Sequence, residues 1–193
     1  MEIKFRELSE KGLIPDNITF AGNGEPTLHP AFPEIIDDTI ALRNQYFPGS
    51  KITVLSNATT LKNEMIDQAL MKADNNVLKL DAGTEEYLQL INNPPGKVSL
   101  DNIVSNLRRF NGNLIIQSLF LKGNVNGVYF DSTGESNVAE WLKLIREISP
   151  KLVMIYPIDR ATPLQGLEKV PQEELEKIAS RVNELGIATD VYS

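Results

Sequence analysis

Six short apolar runs recur along the chain, separated by longer stretches with apolar residues at every third or fourth position. The runs are NITFA at 17–21, KITVL at 51–55, NVLKL at 76–80, LIIQSLF at 114–120, LVMIY at 152–156 and IATDV at 187–191. Their length and β-branched content predict strands, and starts about 25 to 38 residues apart suit strand–helix units. The stretches at 31–47, 61–73, 99–110, 137–149 and 171–185 read as amphipathic helices, as does Glu2 to Lys11 with Ile3, Phe5 and Leu8 on one side. Ser99 with Asn102 three residues on resembles a helix start, Pro171 suits a first helical turn, and Gly186 follows a helix end. Segments 92–97 and 124–135 read as loops.

This alternation predicts an α/β fold in one domain, residues 1–193, with a parallel sheet covered by helices joined through right-handed crossovers. In such folds ligands lie at the carboxyl ends of the strands. The polar residues just past the strands are therefore expected to converge. They are Gly22-Asn23-Gly24-Glu25, Ser56-Asn57, Lys79 and Asp81, Gln117 and Ser118, and Tyr156 to Arg160.

Composition narrows the classes. A net charge of −7 and a pI near 4.8 argue against nonspecific nucleic-acid binding or an anionic membrane surface. No apolar run approaches membrane-helix length, and the amino terminus is charged throughout, so the expectation is a cytoplasmic protein. There is no cysteine and one histidine, His29. Thiolate-held zinc, a cysteine-held cluster and a multi-histidine metal site are therefore not expected of these residues. His29 reads as a helix-start or surface residue.

The strand ends carry a resemblance. Gly22-Asn23-Gly24-Glu25-Pro26-Thr27 resembles the glycine–glycine–glutamate motif of radical S-adenosylmethionine (SAM) enzymes, with Asn23 as a variant. LSNATTL at 55–61 resembles that family's second-strand end, KLDAGTEEYLQLIN at 79–92 its strand-four segment, and IYPIDRATP at 155–163 the last-strand region of the wyosine-forming branch and related Fe–S oxidoreductases. The resemblance implies a partial (β/α)6 TIM-like barrel missing its first strand. It also implies a SAM site built from Gly22, Asn23, Gly24, Glu25, Pro26, Ser56, Asn57, Lys79, Asp81, Gln117 and Tyr156. In that site the glycine turn and Glu25 face the ammonium. Ser56, Asn57 and Asp81 reach the carboxylate or ribose hydroxyls, and Tyr156 lies near the adenine.

Family members hold a [4Fe–4S] cluster on a Cys-x-x-x-Cys-x-x-Cys loop, and this chain has none. The expectation is an inactive portion of a radical SAM oxidoreductase. An intact form would cleave SAM reductively to a 5′-deoxyadenosyl radical, whereas this chain would bind SAM weakly. It would also self-associate through a strand edge at 17–21 left without its neighbour. A non-catalytic adenosyl-ligand or protein-binding module that never held a cluster is the alternative. A barrel enzyme using Glu25, Lys79 and Asp81 for Schiff-base or acid–base chemistry is a third.

Each candidate also has a plainer reading. GNGEPT also serves as a strand-to-helix turn, and Ser56-Asn57 as a cap. Lys79 and Asp81, two apart on one strand face, also suit a structural ion pair. Gln117 interrupts an apolar strand and either completes a buried network or faces the site. Tyr156, Asp159 and Arg160 also suit a polar loop.

Overall fold

A computed structural model describes residues 1–22, 24–92, 98–125, 127–159 and 166–192. In chain order the elements begin with α1 (Glu2–Glu10), β1 (Asn17–Phe20), a 3-10 turn (Pro26–Leu28), α2 (Phe32–Tyr46), β2 (Lys51–Ser56), α3 (Glu64–Met71) and β3 (Asn75–Lys79). They continue with α4 (Glu85–Asn92), α5 (Leu100–Arg108), β4 (Ile115–Leu119), β5 (Leu121–Val125), β6 (Val128–Asp131) and α6 (Glu135–Ile148). β7 (Leu152–Tyr156), β8 (Leu167–Lys169), α7 (Gln172–Asn183) and β9 (Thr189–Val191) complete the chain. Six strands share one sheet in the order β1-β2-β3-β4-β7-β9, which gives the α/β class that the alternation predicts. The chain divides into two compact units, Met1–Val77 and Leu78–Ser193.

In the first unit β1 and β2 pair in parallel, with Ile18 opposite Ile52 and Phe20 opposite Val54. Alternation then sorts the faces. Ile52 and Val54 are buried, and Phe20 meets Phe32 of α2 edge-on at 6.4 Å, so this face lies under helices. Asn17 and Thr19, on the opposite face, are exposed. Phe5 of α1 packs on Phe47 at 5.4 Å and anchors the first helix.

The second unit repeats the arrangement. β4 pairs with β7, and β7 with β9, all parallel. Ile116, Ser118, Val153 and Ile155 are buried, while Gln117, Leu119, Met154 and Tyr156 on the alternate face are half-buried. Trp141 of α6 is fully buried, meets Phe120 edge-on at 5.3 Å, and donates its indole N–H to the Leu80 carbonyl at 3.1 Å.

Several elements depart from the sequence reading, among them α4, β5, β6 and β8. Residues 124–135 are not one loop: β5 pairs antiparallel with both β6 and β8 in a three-stranded sheet. Lys122, Gly123 and Asn124 break the apolar alternation, so pattern alone hid the strand. Lys122 fixes this sheet to α7 through Glu174 at 2.5 Å and to β6 through Asp131 at 3.3 Å. The Glu174 bond, against a smaller cost of burial, holds the Lys122 ammonium above its ordinary range. α5 does begin after Ser99, but the Ser99 side chain makes no cap bond. The Leu100 N–H donates instead to Glu85 at 2.8 Å, and this bond holds the Glu85 carboxyl below its usual range. Of the loop read at 92–97, residues 93–97 lie outside the described residues.

Gly83 is fixed by packing. A Cβ there would stand 2.3 Å from the Trp141 backbone nitrogen and 2.4 Å from the Asn137 carbonyl oxygen. Gly83→Ala is therefore expected to cost about 3 kcal/mol in chemical denaturation. Gly49→Ala, whose Cβ would meet nothing within 4 Å, serves as the control. A Gly83 variant as stable as the control would contradict this packing.

Candidate functional site

Most of the described sequence candidates lie at or just past the carboxyl ends of strands, while Gln117 is the middle residue of β4. Asn23 lies outside the described residues, as does Arg160.

In the first unit β1 ends at Phe20 and the chain turns through Gly22 and Gly24 into the 3-10 turn. Gly24 has φ +147°, a conformation that side chains rarely adopt, so the turn itself requires glycine there. Gly22 has no such requirement, and a Cβ on it would meet nothing within 4 Å. Glu25 caps the 3-10 turn that Pro26 begins. Its Oε1 accepts the Thr27 N–H at 3.2 Å and the Thr27 hydroxyl. Its Oε2 accepts the Asn57 N–H at 2.7 Å, which ties the turn after β1 to the end of β2. Thr27 is buried and shares a 2.5 Å hydroxyl contact with Thr60. Ser56 and Asn57 are turned onto their own backbone. Ser56 Oγ accepts the Ala58 N–H at 3.1 Å, and Asn57 Oδ1 accepts both the N–H and the hydroxyl of Thr59. Thr27 and Thr60 were not singled out from sequence, because one threonine in a turn carries no pattern.

In the second unit the Asp81 carboxylate is fully buried and met by three donors. Oδ1 accepts the Leu119 N–H at 2.9 Å, and Oδ2 accepts Asn92 Nδ2 and Lys79 Nζ, each at 2.9 Å. Such a carboxylate is stabilised by its partners, and removing one leaves a buried charge exposed to its full desolvation cost. The Lys79 side chain is 34% exposed, so the pair presents an ammonium while hiding the anion. The structural ion pair anticipated for these two residues is therefore present.

Gln117 lies on the half-buried face of β4, opposite Met154 in the register, and the Tyr156 hydroxyl donates to Met154 Sδ at 3.8 Å. Burial, the largest influence, holds the Tyr156 phenol above its ordinary range and keeps it protonated. Its ring lies flat against that of Tyr192, with centroids 4.5 Å apart and planes 6° from parallel. Asn92 and Tyr192 are the residues that sequence reasoning missed in this unit. Asn92 is the last residue of the quoted segment 79–92 and Tyr192 follows the last predicted strand, and neither position carries a spacing cue. His29 accepts the Ala31 N–H through Nδ1 at 3.2 Å, in keeping with a helix-start residue.

A cavity of about 570 Å³ lies elsewhere in this unit, lined by Ser105, Arg108, Asn111, Glu147 and Ser149. These residues cluster around the carboxyl ends of α5 and α6, before β4 and β7 begin. Arg108 is already paired with Glu147 at 2.7 Å, and helix carboxyl ends disfavour anions.

No family model matches the chain. It is similar to a UPF0026 protein of Synechocystis, 32% identical over 154 residues that cover 78% of this chain and 53% of that protein. It is also 28% identical over 180 residues to a protein of Brachyspira hyodysenteriae described as GTPase Obg, covering 91% of this chain and 24% of that one. The chain thus spans about half the length of the first relative and about a quarter of the second. It contains no G-x-x-x-x-G-K-[ST] phosphate loop. Among solved structures, a domain of pyruvate-formate lyase-activating enzyme from Bacteroides vulgatus superposes with a TM-score of 0.64 at 18% identity, over 91% of this chain and 98% of that one. SuiB of Streptococcus suis bound to S-adenosylmethionine gives a TM-score of 0.69 at 15% identity, over all of this chain and 42% of that one. At these identities the likeness is one of fold, and the fold is the one expected from sequence.

Proposed function

We propose that this chain is the SAM-binding portion of a radical SAM-type protein, and that on its own it binds the cofactor without cleaving it. The observation that carries this reading is Gly22. Neither its backbone angle nor its packing demands glycine, yet it sits bare at the carboxyl end of a parallel strand. That is what close approach of a ligand to the main chain requires. The fold likeness to radical SAM enzymes, one of them SAM-bound, supports the same reading. Glu25 keeps lone-pair capacity for a ligand ammonium beyond its Asn57 and Thr27 bonds. In the second unit, taken by itself, Lys79 beside Asp81 offers a cation to an anionic or hydroxyl group. Gly24 and Pro26 shape the turn, while Asn57 and Ser56 hold its partner loop.

The residues present do not fit a [4Fe–4S] cluster. The chain has no cysteine, and among the described residues no group of three His, Cys, Asp or Glu is placed to hold a metal. The chemistry proposed for this chain is accordingly binding alone. In a whole protein that supplies the cluster, the same ligand would be cleaved reductively to a 5′-deoxyadenosyl radical. A second reading is a non-catalytic adenosyl-ligand or protein-binding module that never held a cluster.

Isothermal calorimetry with S-adenosylhomocysteine tests the proposal. The expected dissociation constant is roughly 0.1–1 mM, or about −4 to −5.5 kcal/mol. Gly22→Ala is expected to fold normally and to lose most of the heat, because its new methyl occupies the approach. Wild-type heats from Gly22→Ala would remove this turn from the site.

We further propose self-association through β1. It is an edge of the parallel sheet, and no proline or charge lies within Asn17–Phe20 to discourage pairing. Light scattering across a dilution series is expected to show dimer dissociating to monomer, with Thr19→Pro shifted toward monomer. A monomer at every concentration would contradict it.

A further inference from the structure

We propose that the cavity of about 570 Å³ before β4 and β7 binds an acidic α-amino acid, glutamate or aspartate. It lies ahead of the amino ends of those strands, wholly within the second unit. The proposal stands without the SAM reading.

The charges of the lining decide the class of ligand. It carries two guanidiniums, Arg108 and Arg109, and one carboxylate, Glu147. A simple anion drawn to the arginines meets Glu147 and the negative end of α6. A simple cation drawn to Glu147 meets two guanidiniums. Arg108 and Glu147, 2.7 Å apart, form a local dipole, and its complement is a second dipole laid against it head to tail. An α-amino acid has that form, because a single carbon separates its ammonium from its carboxylate. With the carboxylate beside Arg108 and the ammonium beside Glu147, each charge faces its opposite. A second carboxylate on the side chain then meets Arg109, so the three charges of the ligand mirror the three of the lining. A neutral side chain offers Arg109 no charge.

The wall is formed in advance. α6 ends at Ser149, which takes the left-handed conformation, φ +51°, and donates its N–H to the Ile145 carbonyl at 2.8 Å. Pro150 has no N–H, and the Lys151 N–H goes to the carbonyls of Gly112 and Leu114, each at 3.0 Å. No donor from these residues reaches the Arg146 and Glu147 carbonyls, so the last turn of α6 stays negative and suits an ammonium. Asn111 and Ser149 are two of the three non-glycine residues with positive φ among the described residues, and both line this cavity. Such conformations persist where the surroundings impose them, and they gather at ligand clamps. Gly112 supplies that hold. A Cβ on it would stand 2.8 Å from the Ser149 carbonyl oxygen, so the turns that end α5 and α6 lie backbone to backbone. Ser105 and Asn111 add neutral donors to the lining.

NMR titration of the whole chain with glutamate tests this, with glutarate and glutamine as controls that lack the ammonium and the second carboxylate. Glutamate is expected to shift the Ser105, Asn111, Gly112 and Ser149 amides saturably. Glutarate and glutamine are each expected to bind about fivefold more weakly, the range of one exposed ion pair. Arg109→Gln is expected to erase the preference for glutamate over glutamine, and Glu147→Gln the preference over glutarate. Both side chains are exposed, so both variants are expected to fold. The shifts are expected to persist with S-adenosylhomocysteine in excess, and their loss would overturn a site separate from the strand ends. A response to glutamate that never saturates, or equal affinity for all three ligands, would overturn the proposal and leave the SAM reading untouched.

Discussion

The carbonyl of Leu80 holds the carboxyl end of β3 in place. It accepts the Ser118 hydroxyl at 2.5 Å and the Trp141 indole at 3.1 Å, while the Leu80 N–H donates to Gln117. Gly83 then lies flush against the α6 backbone, and its own N–H donates to Asn137 Oδ1 at 3.0 Å. With the chain pinned on both sides, Asp81 has one position available, beneath the Leu119 N–H. From there it takes hold of Asn92 and Lys79. Each of these bonds is worth about 1 kcal/mol net, but leaving any buried partner unmet costs more than the bond contributes. The ammonium of Lys79 is therefore held by a buried network running back to Trp141, not by the flexibility of its own stem.

The turn after β1 shows the opposite economy. Glu25 reaches out from a glycine-rich segment and closes on Asn57 and Thr27, so one carboxylate serves both as a cap and as a link between two strand ends. A ligand ammonium there joins an existing set of donors instead of filling an empty acceptor. On the reading proposed above, this would limit what Glu25 alone contributes to affinity. Gly22 is simpler: it makes no contact that a methyl would break, and its role in the account is clearance.

The strands were legible because a parallel strand with one face under helices keeps a clean alternation. Ile52 and Val54, or Val153 and Ile155, stand buried between residues that are not. Glycine punctuation after β1 and the Lys79–Asp81 spacing were legible for the same reason, since both sit in register with that pattern. What escaped notice lacks periodicity. β5 carries Lys122, Gly123 and Asn124, and its ladder is held by backbone bonds and by the Lys122 ion pairs to residues far along the chain. Thr27, Thr60, Asn92 and Tyr192 acquire their roles from partners distant in sequence or from a strand end. Their identities alone say nothing of this.

The central claim is that ligand binds at the carboxyl ends of the strands. Backbone amide shift mapping with S-adenosylhomocysteine tests it most directly. The account predicts shifts concentrated at Gly22, Gly24 and Asn57 at the strand ends of the first unit, with little change at Ser105, Gly112 and Ser149 around the cavity before β4 and β7. Shifts confined to that cavity, with the strand ends silent, would contradict it.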